Sequence, residues 1–297
     1  MVKSYFLLLS LLLTTTVQAI TVEHELGSTT FEHRPKTIAT LDWALTETVL
    51  SLGVNPVGVA DVKGYQTWVS EPRLSDSVAD VGSRREPNLE LLTQLKPDVI
   101  LISQAMSHAY PQLNMIAPTL VYSIYSPKKT PLENAKAITK QLGELFNKSV
   151  QAEAVIAQTN AKLELNGQYM RQYKNSDRPL LFVRFLNEKT VRIHGNGSLS
   201  QDVLQQMGLV NSWRDTTNMW GFTTAGIEKL AEHQVARVLL FGPLQPEERS
   251  VLEQSALFQT MVFSRQGLVY ELPPIWTFGG LISAQRFSDQ ITKLVAL

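Results

Sequence analysis

The chain has 297 residues, of which 44% are hydrophobic and 18% are charged, a composition typical of a folded protein rather than a disordered one. Its 27 basic side chains balance its 27 acidic ones, so no basic excess favours nucleic acid as the main partner. The absence of cysteine excludes disulfides, thiolate metal sites, a cysteine nucleophile and a lipid-modified cysteine.

The N-terminus has the pattern of an export signal. Lys3 supplies a positive charge, residues 5–13 are almost entirely apolar, and residues 17–19 end in a small side chain suited to a signal peptidase. The apolar run is roughly half of the ~20 residues that span a bilayer, so it does not predict a permanent membrane anchor. The sequence therefore predicts a signal peptide over residues 1–19 and a mature protein in the periplasm of a Gram-negative cell.

Strand and helix patterns then alternate through the first half of the chain. Glycine and proline mark the ends of the predicted helices, at Gly53 and before Pro97. The predicted strands cover residues 37–41, 57–60 and 99–103, and the predicted helices cover residues 46–52 and 88–95. This alternation predicts a parallel sheet with helices on its faces.

The second half repeats the pattern. Ser198, with Gln201 three residues later, forms a capping box, which predicts a helix that ends at Gly208. The other predicted elements are strands over residues 180–185 and 238–241 and a helix over residues 227–233. Residues 90–92 and 100–102 align without gaps with residues 228–230 and 238–240, at a constant offset of 138. The repeat indicates two similar α/β lobes.

A proline-free stretch lies between the halves, from residue 132 to residue 178. Apolar residues recur there at spacings of three and four, which predicts a helix over about residues 149–174, roughly 40 Å long at 1.5 Å per residue. The alternative is two helices broken near Gly167, since glycine destabilises a helix interior. We expect an N-terminal α/β lobe, an interlobe helix and a C-terminal α/β lobe over residues 20–147, 148–175 and 176–297.

Four of the five tryptophans lie in segments that look like loops, namely Trp43, Trp68, Trp220 and Trp276. A single tryptophan belongs to the core more often than to a ligand site. However, loops that follow strands are where α/β sheets bind ligands, and several aromatic rings there can form the walls of a site for a large organic ligand.

Arg84 and Arg85 lie in a turn-rich segment before a predicted helix. They can be a solvated pair partly neutralised by Glu86, or they can bring positive charge to a ligand cleft. Arginine suits the second role because its planar fork donates paired hydrogen bonds to ligand oxygens and stays charged.

Signatures of metal sites and enzymes are weak. No two of the five histidines have the spacing of metal ligands. Residues 195–198 lack the third glycine of a dinucleotide fingerprint, and there is no nucleophile elbow or phosphate-binding loop. The sequence therefore predicts no catalytic residue, no metal ligand and no resident cofactor.

Several ordered segments carry a family resemblance. They are residues 68–72, 76–78, 86–92, 217–221 and 275–276, with the densest similarity between residues 61 and 92. From about residue 38 to the C-terminus, the chain resembles the periplasmic ferric hydroxamate-binding proteins, within the larger siderophore- and cobalamin-binding family. The resemblance implies two Rossmann-like α/β lobes joined by a single long helix, with a shallow cleft between them, and we expect a monomer.

The resemblance also implies what the protein carries. The ligand would be an iron(III) siderophore complex of the hydroxamate type, such as ferrichrome, aerobactin or ferrioxamine, whose own groups fill the coordination sphere of the iron. The protein would deliver it to an inner-membrane ABC permease with its ATPase, downstream of a TonB-dependent outer-membrane receptor. Glu90 and Glu228 match the family's acidic docking residues, one per lobe, although the helix dipole alone also explains a carboxylate in a first helical turn.

The residues implied to bind the ligand surround the cleft. Arg84 would donate hydrogen bonds to the iron-ligating oxygens, and the four tryptophans named above would line the cleft. The complete expected set is Trp43, Trp68, Arg84, Arg85, Met106, Tyr110, Asn218, Trp220, Phe222, Trp276 and Phe278.

Three features depart from the family pattern. Met106 stands where the hydroxamate-binding proteins tend to have a tyrosine that assists the arginine, and Tyr110, four residues on, is a candidate substitute. Phe222 and Phe278 stand where relatives carry a small polar residue and a tyrosine. Together with the second cation at Arg85, these changes favour an anionic ligand such as a citrate-hydroxamate siderophore.

Two other classes of protein stay open. A cobalamin- or haem-binding protein would share the fold but would not need Arg84 at the cleft, and haem would require a histidine, tyrosine or methionine ligand. An exported α/β enzyme would need a nucleophile–base pair or a metal site, and the sequence identifies neither.

Overall fold

The computed structural model describes residues 19–172 and 177–295. Apart from Ala19, the predicted signal peptide lies outside these residues. Within them the chain forms a two-stranded sheet and two five-stranded sheets.

An antiparallel hairpin of β1 (Ile20–His24) and β2 (Gly27–Phe31) precedes the first large sheet. It is an element that the sequence pattern does not predict. The Tyr122 hydroxyl donates to the Glu23 carbonyl oxygen at 3.0 Å, and the Ser123 backbone N–H donates to the Glu25 carboxylate at 2.6 Å. These bonds attach the hairpin to the N-terminal lobe.

The sheet of the N-terminal lobe is parallel throughout. In spatial order its strands are β5 (Ala79–Asp80), β4 (Gly58–Val59), β3 (Ile38–Thr40), β6 (Val99–Ile102) and β7 (Thr119–Val121). The helices of this lobe are α1 (Trp43–Ser51), α2 (Val62–Trp68), α3 (Leu89–Leu95), a 3-10 helix (Gln104–Ala109), α4 (Tyr110–Ile116) and α5 (Pro131–Leu145). The prediction of a parallel sheet with intervening helices is confirmed for this half.

Side-chain caps fix where two of these helices begin. The Asp42 carboxylate accepts a hydrogen bond from the Ala44 backbone N–H at 2.9 Å, and the Asn88 side chain accepts one from the Leu91 N–H at 2.9 Å. Each cap satisfies a backbone donor that the first helical turn leaves unpaired. The helix α1 therefore starts directly after β3, and α3 starts after a loop of residues 81–88 that follows β5, both at the edge of the sheet where a ligand would bind.

The C-terminal lobe contains a mixed sheet. In spatial order its strands are β10 (Phe222–Gly226), β9 (Thr190–His194), β8 (Leu180–Phe185), β11 (Arg237–Leu240) and β12 (Val269–Glu271). Its helices are α7 (Leu199–Met207), a 3-10 helix (Ile227–His233), α8 (Pro246–Gln254), α9 (Ala256–Thr260), α10 (Val262–Arg265) and α11 (Leu281–Val295). As predicted, α7 starts after Ser198, whose hydroxyl accepts a hydrogen bond from the Gln201 N–H at 3.1 Å, and ends at Gly208.

The expectation of a second parallel sheet holds for only three strands of this lobe. β11 pairs in parallel with β8 and β12, whereas β9 is antiparallel to both β8 and β10. The connection from β8 to β9 is residues 186–189, and so short a connection permits a hairpin but not the crossover that parallel strands need.

The internal repeat is confirmed at its centre. The strands β6 and β11, which the offset of 138 relates, occupy equivalent positions. β6 lies between β3 and the edge strand β7, and β11 lies between β8 and the edge strand β12. The helical segments before them also correspond, although the first is the α-helix α3 and the second is a 3-10 helix.

The helix α6 (Ser149–Met170) joins the lobes and runs for 22 residues without a break, about 33 Å at 1.5 Å per residue. It is shorter than predicted because the chain turns at residues 171–172, and residues 173–176 lie outside the described residues. The alternative of a break near Gly167 is wrong. Gly167 lies where α7 passes so closely that a Cβ atom would clash with the Met207 backbone, so glycine here permits two helices to pack.

One hydrophobic core extends over both lobes and the interlobe helix. It includes Leu45 from α1, Leu163 from α6 and Phe287 from α11, all at most 1% exposed. The lobes therefore share buried apolar surface, which opposes a large opening motion because opening would return that surface to water.

Polar contacts of α11 add a second connection between the lobes. Glu47 on α1 is fully buried and accepts hydrogen bonds from the backbone N–H groups of Gly280 and Ser283, each at 3.0 Å. Burial raises the pKa of Glu47, although these hydrogen bonds oppose the shift. Arg286 on α11 donates to the Val69 carbonyl oxygen of the N-terminal lobe at 2.6 Å. The lobes are thus held by α11 as well as by α6.

Candidate functional site

A cavity opens at the carboxyl edge of the N-terminal sheet. Asp42 follows β3, Asp61 follows β4, Arg84 follows β5 and Ser103 follows β6. The carboxyl ends of parallel strands meet at one edge, which is where open α/β sheets bind ligands. The cavity measures about 400 Å³ and is lined by Leu41, Asp42, Asp61, Ser83, Arg84, Arg85, Ser103, Ala105 and Met106.

Arg84 is a partly buried cation stacked on aromatic rings. Its guanidinium carbon lies 3.7 Å from the Trp43 ring centroid and 5.4 Å from the Trp276 ring centroid. Its Nε lies 3.9 Å from an Asp61 carboxylate oxygen, and its side chain is 36% exposed. Burial lowers the pKa of Arg84, while Asp42 and Asp61 oppose the shift. Arg84 is thus not simply a solvated surface residue, whereas Arg85 beside it is exposed.

Two of the four tryptophans predicted to lie in loops are helical. Trp43 is the first residue of α1 and Trp68 is the last residue of α2, because Asp42 and Asp61 cap these helices immediately after their strands. The Trp43 side chain is 2% exposed and its Nε1 donates to the Ala60 carbonyl oxygen at 3.0 Å. Trp43 therefore acts as the buried support on which Arg84 lies.

Aromatic rings from the C-terminal lobe face this support. Trp276 meets Trp43 edge to face, with ring centroids 4.8 Å apart. Phe278 lies at the centre of the group, 5.5 Å from Trp276, 5.6 Å from Trp220 and 6.1 Å from Phe222 between ring centroids. The structure thus brings these predicted aromatic residues together into one interlobe wall beside Arg84.

Asn218 orders the turn that carries Trp220. Its side-chain oxygen accepts hydrogen bonds from the backbone N–H groups of Trp220 at 2.9 Å and Phe222 at 3.3 Å. Gly221 completes the turn at a φ of +75°, where a Cβ atom would clash with the backbone of residues 197 and 198. Asn218 therefore positions two members of the aromatic wall.

Met106 and Tyr110 occupy different places. Met106 is 4% exposed and lines the cavity of Arg84. Tyr110 opens α4 and its ring faces His24 of the hairpin, with centroids 6.2 Å apart, and it is not among the residues that line the cavity. The cavity hydroxyls near Arg84 belong to Ser83 and Ser103 instead.

Two arginines on the sheet of the C-terminal lobe belong to this region and are absent from the predicted set. The Arg184 guanidinium carbon lies 4.6 Å from the Trp68 ring centroid, and that of Arg192 lies 4.5 Å from the Phe222 ring centroid. A charged residue inside an otherwise apolar strand such as residues 180–185 is the signal that identifies Arg184. Their proximity to the site depends on strand pairing, which the sequence pattern does not specify.

Tyr125 and His194 complete the surroundings of the wall. Tyr125 stacks on Trp220 with centroids 5.7 Å apart and donates its hydroxyl to the Thr277 carbonyl oxygen at 3.1 Å. Burial raises the pKa of Tyr125, so it remains a neutral donor. His194 lies 6.2 Å from the Phe278 ring, and burial, followed by the charges of Arg184 and Arg192, lowers its pKa to about 3. His194 is therefore neutral at physiological pH.

The two acidic residues predicted to dock a partner are exposed at equivalent places. Glu90 lies in the first turn of α3, and Glu228 lies in the first turn of the 3-10 helix after β10. The end of β10 pairs with the start of β9, which in turn pairs with the carboxyl end of β8. Glu228 therefore lies near the carboxyl edge of its sheet, as Glu90 does after β5. Both acids thus lie on the side of their lobe from which the cleft opens.

The described residues contain no group of three or more histidine, cysteine, aspartate or glutamate side chains that could hold a metal ion. In the same part of the chain, none of the helices combines the length and hydropathy of a membrane span.

Comparison with known proteins identifies the family. The periplasmic binding protein family matches residues 38–275. The iron(3+)-hydroxamate-binding protein FhuD of Escherichia coli is 36% identical over 253 residues, which cover 85% of this chain and 84% of the relative. The Fe(3+) dicitrate-binding periplasmic protein FecB of the same organism is 29% identical over 282 residues, covering 93% and 90%.

A solved structure gives the same result. The siderophore-binding protein FhuD of Vibrio cholerae, bound to Fe3+-Desferal, superposes with a TM-score of 0.81 at 30% identity, over 87% of this chain and 97% of that one. The chain therefore belongs to the periplasmic binding protein family, with the two-lobed α/β fold that the resemblance implied.

Proposed function

We propose that this protein captures a ferric hydroxamate siderophore in the periplasm and delivers it to an ABC importer in the inner membrane. The observation that carries the proposal is Arg84, held on Trp43 at the mouth of a cavity and facing the interlobe aromatic wall. The proteins named FhuD, to which this chain is similar, are described as binding iron(3+)-hydroxamate and Fe3+-Desferal.

Binding divides into two contributions. The aromatic wall would cover the organic part of the ligand, while Arg84 would donate to the hydroxamate oxygens that already bind the iron. A hydrogen bond to a charged group contributes about 1.5–3 kcal/mol, a substantial part of the ~8 kcal/mol behind a micromolar Kd. The siderophore supplies all iron ligands in this scheme, so the protein needs no metal-binding cluster of its own.

The fold supports capture with little movement. The unbroken helix α6, the shared core and the contacts of α11 with the N-terminal lobe oppose a wide hinge opening. Glu90 and Glu228, one on each lobe, would meet arginines of a permease with two subunits. Docking in that position would place the cleft over the transport channel.

The cellular setting follows from the same scheme. Cleavage of a signal peptide over residues 1–19 would release a monomer into the periplasm, with lobes at residues 20–147 and 176–297 joined by residues 148–175. The ferric siderophore would reach it through a TonB-dependent outer-membrane receptor, and the permease with its ATPase would take it onward.

Tryptophan fluorescence provides the test, because three of the wall and support residues are tryptophans. The mature protein is titrated with ferric hydroxamates, a ferric catecholate, cobalamin and haem. We expect saturable quenching by at least one ferric hydroxamate at micromolar concentration or below. Quenching by cobalamin, haem or the catecholate, with none by any hydroxamate, would refute the proposal.

A further inference from the structure

Arg184 and Arg192 form a pair of positive charges that no carboxylate contacts within salt-bridge distance in the part of the chain that the structure describes. They lie directly opposite each other on the adjacent antiparallel strands β8 and β9. Like charges at directly opposed positions destabilise a sheet. A like-charged pair that costs stability and lies beside the aromatic wall points to a role in binding.

The pair contrasts with the cation of the N-terminal lobe. Arg84 has the Asp61 carboxylate at 3.9 Å, and Asp42 also acts on it electrostatically. Among the described residues, no aspartate or glutamate forms a salt bridge with Arg184 or Arg192. Within that part of the chain, the arginine pair therefore has no carboxylate in direct contact, and Glu248 acts on Arg184 only from beyond salt-bridge distance.

The hydrogen-bond donors of the pair are also largely unused. Arg184 donates one long hydrogen bond of 3.4 Å to the Thr277 hydroxyl, and the buried Nε of Arg192 has no hydrogen-bond partner among the described residues. Aromatic rings cover one face of each guanidinium, Trp68 for Arg184 and Phe222 for Arg192. Ring contacts leave the in-plane N–H groups free, and these are the groups that bind carboxylates.

The electrostatic environment agrees with this geometry. Burial lowers the pKa of Arg184, Glu248 opposes the shift, and the charge of Arg192 adds to it. The same two arginines contribute to the low pKa of His194, which stays neutral and so adds no further positive charge. An anion in this region would relieve the repulsion between the arginines.

We propose that Arg184 and Arg192 bind a carboxylate of the ligand, so that the preferred cargo is a ferric siderophore with at least one carboxylate that the iron leaves free. This inference rests on the proposed function and defines its substrate class. Arg84 would anchor the iron centre from one lobe, while the arginine pair would recognise the anionic group from the other. Selectivity would then favour negatively charged iron complexes over neutral or cationic ones with the same hydroxamate centre.

Ligands that share one iron centre and differ in the group that caps one arm provide the test. The free amine of desferrioxamine B is capped with an acetyl group, which gives a neutral arm, or with a succinyl or glutaryl group, which gives arms of two lengths ending in a carboxylate. All are loaded with iron(III), and the Kd of each is measured for the mature protein at low salt. We expect at least one carboxylate-bearing complex to bind at least tenfold more tightly than the acetylated one.

Variants then assign the preference to the arginine pair. In the double variant Arg184→Gln/Arg192→Gln, the preference should fall below twofold, while the Kd of the acetylated complex changes less than threefold. Arg265→Gln, which removes an exposed arginine of α10 in the same lobe, should keep the full preference. If circular dichroism shows that the double variant does not fold, each single variant should lose at least threefold of the preference.

Each possible result decides something different. Equal affinity of the wild-type protein for the acetylated and both carboxylate-bearing complexes, or a preference that survives in the arginine variants, overturns the inference while leaving the proposed function intact. Failure of every ferric complex to bind would instead count against the proposed function itself.

Discussion

Replacing Arg84 by alanine should weaken ferric hydroxamate binding more than it weakens the fold. The substitution removes a charge-assisted hydrogen bond worth about 1.5–3 kcal/mol, which corresponds to a loss of affinity between about tenfold and about 150-fold. The structural role of Arg84 is smaller. Its ion pair with Asp61 is long and partly exposed, worth about 0–1 kcal/mol, and its stacking on Trp43 adds about 0.5–1 kcal/mol.

Calorimetric titration suits this variant better than fluorescence, because uncovering Trp43 would itself change the emission. Arg84→Lys keeps the charge but loses the planar fork, so its affinity should fall between those of the wild type and Arg84→Ala. Arg73→Ala is the control, since Arg73 also forms an ion pair on the N-terminal lobe but is 87% exposed. An Arg84→Ala protein that binds as tightly as the Arg73→Ala protein would refute the role of Arg84.

Three further predictions concern docking and stability. Replacing both Glu90 and Glu228 by alanine should abolish iron uptake in cells while leaving the Kd for the ferric siderophore unchanged. The control Glu153→Ala, at an exposed acid of α6, should change neither uptake nor Kd, and normal uptake by the double variant would contradict the docking role. The pKa of His194 is about 3 in the folded protein, against an ordinary value of 6.5. As the pH falls below 6.5, the His194 imidazole is therefore protonated only in the unfolded chain, which lowers the free energy of unfolding by roughly 2 kcal/mol at pH 5. His194→Phe should therefore be stabilised relative to wild type at pH 5 more than at pH 8 in urea unfolding, and an equal difference at both pH values would show that His194 does not titrate as inferred. Glu47→Ala leaves two buried backbone N–H donors without their acceptor, at about 1–3 kcal/mol each, so the free energy of unfolding should fall by roughly 2–6 kcal/mol. A fall below about 1 kcal/mol would show that this contact does not hold α11 on the N-terminal lobe.

Much of the fold follows from local sequence signals. The alternation of strands and helices, the capping box at Ser198, the stop at Gly208 and the offset of 138 between β6 and β11 all predict what the structure contains. The errors lie where tertiary geometry decides the outcome. The predicted parallel pairing fails for β9, which the short connection after β8 makes antiparallel. The predicted interlobe helix does run through Gly167, and only the alternative of a break there is wrong, because α7 packs against this glycine.

The candidate site divides in the same way. Residues in family-like segments, such as Arg84, Trp220 and Trp276, are brought together as expected, although Trp43 is buried beneath Arg84 and Tyr110 faces the hairpin. Arg184 and Arg192 could not be identified as a pair, because their proximity arises only when two strands adopt one register. A single arginine in an apolar strand gives no indication of which residue it faces.

A crystal structure of the mature protein with a ferric trihydroxamate tests the central claim most directly. The account predicts the siderophore between the lobes against Trp220, Trp276 and Phe278, with the Arg84 guanidinium within about 3.2 Å of the iron-ligating oxygens and no protein atom bound to the iron. A complex in which Arg84 faces solvent, or in which a protein side chain coordinates the iron, would contradict it.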